Sequence, residues 1–275
     1  MKKQTNIAKL LLYAILTSYA IVTLIPFVWA LSASFKPLNE ILAGGLNFIP
    51  QEFTFNNYIT IFTEQALFPR WLFNSVFVAV VGTALNLVFN SMAGYALARL
   101  SFPGKKTLFI TILAVLMIPA QVTMIPNFLI LKELGWLNSY QGLIIPGMIN
   151  ATFIFMMRQF FINFPRDVEE AAAIDGLGRF GTFFRIVMPM AKPALAAQAI
   201  FVFMSFWNNF MAPLIIMTDA SMYTLPVGLN AFQSDYATYW NYIMAASMVF
   251  TLPVLVIYIF FNRFFLKGMS FRGDK

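Results

Sequence analysis

Residues 10–31, LLLYAILTSYAIVTLIPFVWAL, run for 22 positions without a charged side chain. An α-helix needs about 20 apolar residues to cross the hydrocarbon of a bilayer, so this stretch reads as a membrane span. Lys2, Lys3 and Lys9 precede it and Ser32-Ala33-Ser34 follows it, which makes a cleavable secretory signal the rival reading. A signal core is only about 7–15 residues long, and this run favours a retained helix. With its border at 10–32, it is the first of six such runs; the others lie at 71–95, 108–131, 141–163, 194–217 and 242–266. The whole chain of 275 residues is 60% hydrophobic and 11% charged. A soluble domain carries roughly 25% charged residues. Too little polar surface is available for water to be the main solvent, and the reading is an all-α integral membrane protein with six transmembrane helices.

The basic residues test that reading. With the N-terminus in the cytoplasm, Lys2, Lys3, Lys9, Arg99, Lys105, Lys106, Arg158, Arg166, Arg179, Arg185, Lys192, Arg263, Lys267, Arg272 and Lys275 fall inside. Of the 18 Lys and Arg residues, only Lys36, Arg70 and Lys132 fall outside. This is the asymmetry of the positive-inside rule for an even number of spans with both termini cytoplasmic. The net charge of +7 is thus a membrane signature, and no nucleic-acid partner is implied. Cysteine and histidine are both absent, which removes disulfides, thiolate metal sites and the commonest general base.

The apolar centres hold no Asp, Glu or Lys. Such a charge costs about 2.5–3.5 kcal/mol at mid-bilayer, and ion-driven carriers usually keep one for function. Uncharged polar residues form stripes instead. Gly82, Asn86, Asn90 and Gly94 recur at every fourth position of the second run. In the fifth, Gln198, Ser205, Asn208 and Asn209 share a face extended by Ala194 and Ala212, with Trp207 alongside. Two readings stand: a hydrated pathway, to which Asn150 could also belong, or close helix packing through small residues and amides. Pro119, Pro126, Pro146 and Pro253 predict kinks or breaks within the runs.

Residues 164–193 form the longest inner connection. Phe164-Pro165 ends the preceding helix, and Asp167 with Glu170 three residues on predicts a capping box. Ala171, Ala172 and Ala173 favour helix, Gly176 and Gly178 stop it, and a second short helix is expected from Gly181-Thr182 to Pro189. The result is a small hairpin bearing Asp167, Glu169, Glu170 and Asp175. It is either a mere connector or an acidic knob that docks on a soluble partner. Gly176, Gly178 and Gly181 also spell a dinucleotide fingerprint, but a helix precedes them where that motif requires a strand.

Glu170-Ala171-Ala172-Ala173-Ile174-Asp175-Gly176, nine residues, then Ile186-Val187-Met188-Pro189 resembles the EAA signature of binding-protein-dependent ABC importer permeases. Met188 stands for the usual leucine and Leu177 for a small residue. Asn74-Ser75, Tyr95-Ala96-Leu97-Ala98-Arg99, Pro119 through Pro126, Trp207-Asn208 with Pro213-Leu214, and Phe265-Leu266-Lys267-Gly268 are similar to the sugar-importer branch. Within it, the chain looks most like the smaller, six-span maltose-type permease.

The resemblance implies a type I ABC importer permease fold in a bacterial or archaeal cell membrane. It divides the chain into 1–69 (first helix and outer loop), 70–266 (transmembrane domain with coupling loop 164–193) and a 267–275 tail. It implies an ATPase-coupling set of Glu169, Glu170, Ala171, Ala172, Asp175, Gly176, Ile186 and Pro189. It also implies a second and unlike permease chain, two ATPase subunits, and an extracytoplasmic solute-binding protein that meets the outer loops 34–70 and 218–241. In the family the tail reaches between the ATPase subunits; here it ends in Gly273-Asp274-Lys275, unlike the family's finish. No catalytic residue, metal or cofactor is expected on this chain, with ATP and Mg held by the partner. An ion-coupled secondary transporter of a small polar solute is the alternative; it predicts an internal repeat and an intramembrane charge.

Overall fold

A computed structural model describes residues 6–233 and 238–270. Apart from one isolated antiparallel bridge, Gln233 with Thr238, the described residues are helices and connecting turns. They fall into two compact units, 1–69 with 229–252, and 70–228 with 253–275. Residues 229–252, grouped with the main transmembrane domain in the sequence reading, thus cluster with the N-terminal segment.

In the first unit, α1 (Asn6–Ala33) is followed by α2 (Leu38–Leu42) and α3 (Asn56–Thr63). Every side chain from 8 to 28 is exposed. A helix that is apolar all round and uncovered has lipid as its natural solvent. The segment after α1 is built on polar contacts. Buried Asn57 donates to the carbonyls of Ser34 and Lys36 at 2.9 and 2.8 Å and accepts from Asn241 at 2.7 Å. Phe35 stacks on Phe53 at 4.9 Å beside Phe55 and Tyr58. Lys36 pairs with Glu40 at 3.4 Å. Desolvation raises the Glu40 carboxyl, but the N–H groups of Gln51 and Glu52 and the Lys36 ammonium outweigh it and hold the group below its ordinary value.

Next comes α4 (Phe68–Arg99), a helix of 32 residues without an interior break. The third span is broken: α5 (Lys105–Val115) and α6 (Ala120–Glu133) meet at 102°. Pro119 is the N-cap of α6 with extended backbone, φ −60° and ψ 135°, so the helix cannot run on through it. The fourth is interrupted as well, with α7 (Tyr140–Met148) and α8 (Ala151–Ile162) bent by 40° two residues beyond Pro146. The runs 108–131 and 141–163 are thus interrupted near Pro119 and Pro146, as those prolines predict.

The hairpin within 164–193 is α9 (Arg166–Ile174), then α10 (Arg179–Thr182), which passes through a π-helical turn, Phe183–Val187, into α11 (Met188–Met190). An 80° bend leads into α12 (Lys192–Trp207). The expected fifth span, 194–217, breaks at Asn208–Phe210 before α13 (Met211–Ile216); α14 (Leu225–Gly228) and α15 (Trp240–Ser270) complete the order. Among the described residues three helices are long and apolar enough to cross a bilayer, or up to six spans when each bent pair counts as one. Within α15, Pro253 is accommodated. The helix runs four residues past the expected end at 266, while 271–275, with the tail's distinctive finish, lie outside the described residues.

The glycine stripe of α4 is a packing stripe. A Cβ on Gly82 would lie 2.6 Å from the Phe206 ring, and one on Gly147 would meet the same ring at 2.8 Å. At Gly94 the neighbours are the Met157 Cβ at 2.8 Å and the Arg158 backbone nitrogen at 2.9 Å. Ring tips swing aside, but backbone does not. Gly94→Ala is accordingly expected to destabilise the protein by about 1–3 kcal/mol. Thermal unfolding in detergent checks this; a midpoint equal to wild type would mean that α4 and α8 separate freely.

Candidate functional site

Two places on the second unit carry the residues singled out above. The first is a cavity of about 430 Å³ whose polar lining includes Asn86, Gln121, Asn127, Asn150, Ser205 and Asn209. It forms where helices are broken. Interrupting a helix frees backbone groups that must be satisfied within the protein, because lipid offers no partner. Pro146 precedes such a break, and α4 supplies the partners. Asn86 donates to the Gly147 carbonyl at 3.1 Å. Asn90 donates to the Met148 carbonyl at 2.9 Å and accepts from the Asn150 N–H at 2.8 Å. Asn150 then caps α8, its side chain accepting from the Thr152 N–H at 2.9 Å. At the next break Asn209, one residue before the N-cap Phe210 of α13, accepts from the Ala212 N–H at 3.2 Å.

Of the expected pathway residues, Asn150, Ser205 and Asn209 line this cavity, while Gln198, Trp207 and Asn208 do not. Gln198 is fully buried and donates to Asn86 at 3.1 Å, so it ties α12 to α4. Trp207 is buried and stacked on Phe203 at 5.5 Å. Asn208 is the C-cap of α12 and is exposed elsewhere. Gln121 and Asn127 were missed, because they follow Pro119 and Pro126 in a run read only as apolar. A polar pair beside a predicted kink was the available signal.

The second place is the hairpin. Its first helix, starting at Arg166, has Pro165 rather than Asp167 at the N-cap, and no side-chain cap forms. The predicted Asp167–Glu170 capping box is absent because proline sets the start two residues earlier and leaves both acids inside the helix. Gly176, at φ +79°, is the stop. The N–H of Leu177 reaches the Ala172 carbonyl at 3.0 Å, and that of Gly176 the Ala173 carbonyl at 3.1 Å, which is the Schellman pattern. Gly178 is extended and caps α10 instead, so the second arm begins at Arg179 rather than Gly181.

The expected coupling residues separate by face. Glu170, Ala171, Asp175, Gly176 and Pro189 are exposed, and Ile186 is half-buried. Ala172, expected in the ATPase-coupling set, is 1% exposed and packs inward, so it is not on the face open to a partner. Glu169 also turns in. Its two carboxylate oxygens take the Tyr95 hydroxyl at 2.6 Å and the Arg99 guanidinium, whose Nε lies at 2.6 Å.

The start of α4 holds the segment that follows α13. Trp71 Nε1 donates to the Ala220 carbonyl at 2.7 Å, and Asn74 to the carbonyls of Ser221 and Tyr223 at 2.9 and 2.8 Å. Ser75 accepts from the Leu225 N–H at 2.6 Å. Within that segment the Ser221 N–H, at 2.8 Å, holds the Asp219 carboxyl below its ordinary value. Asp235 lies outside the described residues.

Comparison with known proteins agrees with this architecture. Residues 90–271 match the family described as binding-protein-dependent transport system inner membrane component. The arabinooligosaccharides transport system permease protein AraQ of Halalkalibacterium halodurans is 36% identical over 258 residues, 93% of this chain and 92% of that protein. The trehalose/maltose transport system permease protein MalG of Thermococcus litoralis is 32% identical over 91% of each chain. In fold, the chain matches one from the crystal structure of a bacterial ABC transporter involved in the import of the acidic polysaccharide alginate. The TM-score is 0.86 at 24% identity, over 96% of this chain and 99% of that one. With the family match covering most of the chain and the fold agreeing, the ion-coupled alternative falls away. The chain belongs to the inner membrane components of binding-protein-dependent transport systems, and it is a permease subunit of an ABC importer.

Proposed function

We propose that this chain forms half of the pathway for an oligosaccharide or smaller sugar and is driven through its 166–190 hairpin by a separate ATPase. The observation that supports this best is the two-sided hairpin. One side is anchored by Ala172 and Glu169, and the other leaves Glu170, Ala171 and Asp175 exposed. A connector has no need to hold an acidic, low-bulk face outward. The cavity suits the solute class, since amides and a hydroxyl can exchange hydrogen bonds with sugar hydroxyls while the apolar remainder takes the ring faces. The relatives named above are permeases for arabinooligosaccharides and for trehalose or maltose.

On this reading both termini and the hairpin are cytoplasmic. A second, unlike permease chain completes the pathway, two ATPase subunits hold ATP and Mg, and a binding protein delivers solute from outside. This chain itself performs no catalysis. Affinity purification of the tagged chain from its native membrane should bring an ATPase subunit and a second permease with it; recovery of the chain alone would refute the proposal. In the same preparation, Ser205→Phe should keep the ATPase bound yet cut sugar uptake by about tenfold, because a ring would occupy a cavity sized for one small ligand. Undiminished uptake would place the pathway elsewhere.

A further inference from the structure

Glu169 is adjacent to Glu170 in sequence, yet it is withdrawn from the exposed face. Arg99 and Tyr95, one turn apart at the end of α4, occupy both of its oxygens. The side chains of Arg99 and Glu169 are 8% and 18% exposed. Among the residues of the second unit whose side chains are described, theirs is the one salt bridge. Rings close over it: Tyr95 lies 5.5 Å from Phe161 of α8 and 5.1 Å from Phe183 in the π-turn. Three helical elements, α4, α8 and the second arm, thus meet around the Tyr95 ring, and Tyr95 with Arg99 grips one carboxylate carried by α9.

From that point α4 runs back uninterrupted to Asn90 and Asn86. A helix rises about 1.5 Å per residue, so Arg99 stands only about 14 Å along the rod from Asn90. There the same helix holds the α7–α8 break together, and at Asn86 it lines the cavity.

We propose that Tyr95, Arg99 and Glu169 form a latch that carries displacement of the hairpin into α4 and so into the wall of the solute cavity. They act as positioning residues, distinct from the outward docking face. The inference rests on reading the hairpin as the ATPase-driven element. A carboxylate with both oxygens engaged by two different side chains is suited to this, because charge-assisted bonds at both oxygens fix its position and its orientation.

The test uses the whole transporter, purified and reconstituted with its binding protein, and reads two quantities: ATPase retained with this chain, and solute taken up per ATP hydrolysed. Glu169→Gln should retain the ATPase while uptake per ATP falls about tenfold, the scale of ordinary coupling between sites. The double exchange Arg99→Glu with Glu169→Arg should recover most of that loss, whereas Arg99→Glu alone should not. A wild-type ratio in Glu169→Gln would overturn the latch. So would loss of the ATPase from that variant, which would make Glu169 a docking contact. If Glu169→Gln fails to accumulate, the double exchange decides: coupled uptake supports the latch, and its absence overturns it. An unaltered chain that captures no ATPase would overturn the functional proposal itself, a result separable from all of these.

Discussion

Glu170→Lys is expected to abolish solute uptake and release the ATPase, while the chain remains inserted at normal levels. Glu170 is exposed on α9 and makes no hydrogen bond or ion pair among the described residues, so its replacement removes nothing that holds the hairpin together. Helix α9 starts behind Pro165 and ends at Gly176 without using this side chain. The whole effect therefore falls on the partner. Breaking a charge pair at a protein interface costs about 2–5 kcal/mol. At about 1.4 kcal/mol per tenfold, that lowers affinity by some one and a half to three and a half decades. Membrane fractionation establishes insertion, and copurification with uptake reads the loss. Wild-type uptake and ATPase stimulation by Glu170→Lys would remove the docking face from the mechanism.

Asn90→Ala should be the most damaging single truncation within the span region. The side chain is fully buried and serves both sides of the α7–α8 break. Without it the Met148 carbonyl and the Asn150 N–H both lose their partners. An unsatisfied buried group costs about 1–3 kcal/mol, although interhelical bonds measured in membranes average only about 0.6 kcal/mol. Two groups orphaned together, at a break that cannot reform as helix, give an expected loss of about 2–4 kcal/mol. Asn90→Asp makes the sharper comparison. It preserves the acceptor for Asn150 but forfeits the donor and buries a charge costing about 2.5–3.5 kcal/mol, so it should be worse than alanine. Unfolding midpoints in detergent that rank aspartate above alanine would contradict this account of the break.

The membrane character and the place of each apolar run were legible because hydrophobic length is a one-dimensional property. Breaks were legible only where proline announced them. Pro119 and Pro146 pointed to the right segments, but the 102° and 40° bends depend on what packs beside them. The stripe of Asn86 and Asn90 could be seen in sequence, yet its purpose could not, because the carbonyls it satisfies lie about 60 residues away. At the hairpin, the glycine stop at Gly176 was readable from local chemistry. The start was misjudged because Asp167 resembles a cap while Pro165 takes the position. Glu169 and Glu170 are indistinguishable in composition. Only the 100° turn between neighbours on a helix, set against Arg99 and Tyr95, gives them opposite directions.

The interruption between α7 and α8 has an electrical consequence. The C-terminal end of one short helix and the N-terminal end of the next lie two residues apart, at the edge of the cavity that Asn150 lines. Helix ends carry partial charges of about half an elementary charge and opposite sign, so their fields largely cancel there. With the carbonyls of Gly147 and Met148 and the N–H of Asn150 also bonded to asparagine side chains, this wall holds neither a net end charge nor a free backbone group, and it favours neither sign of ion.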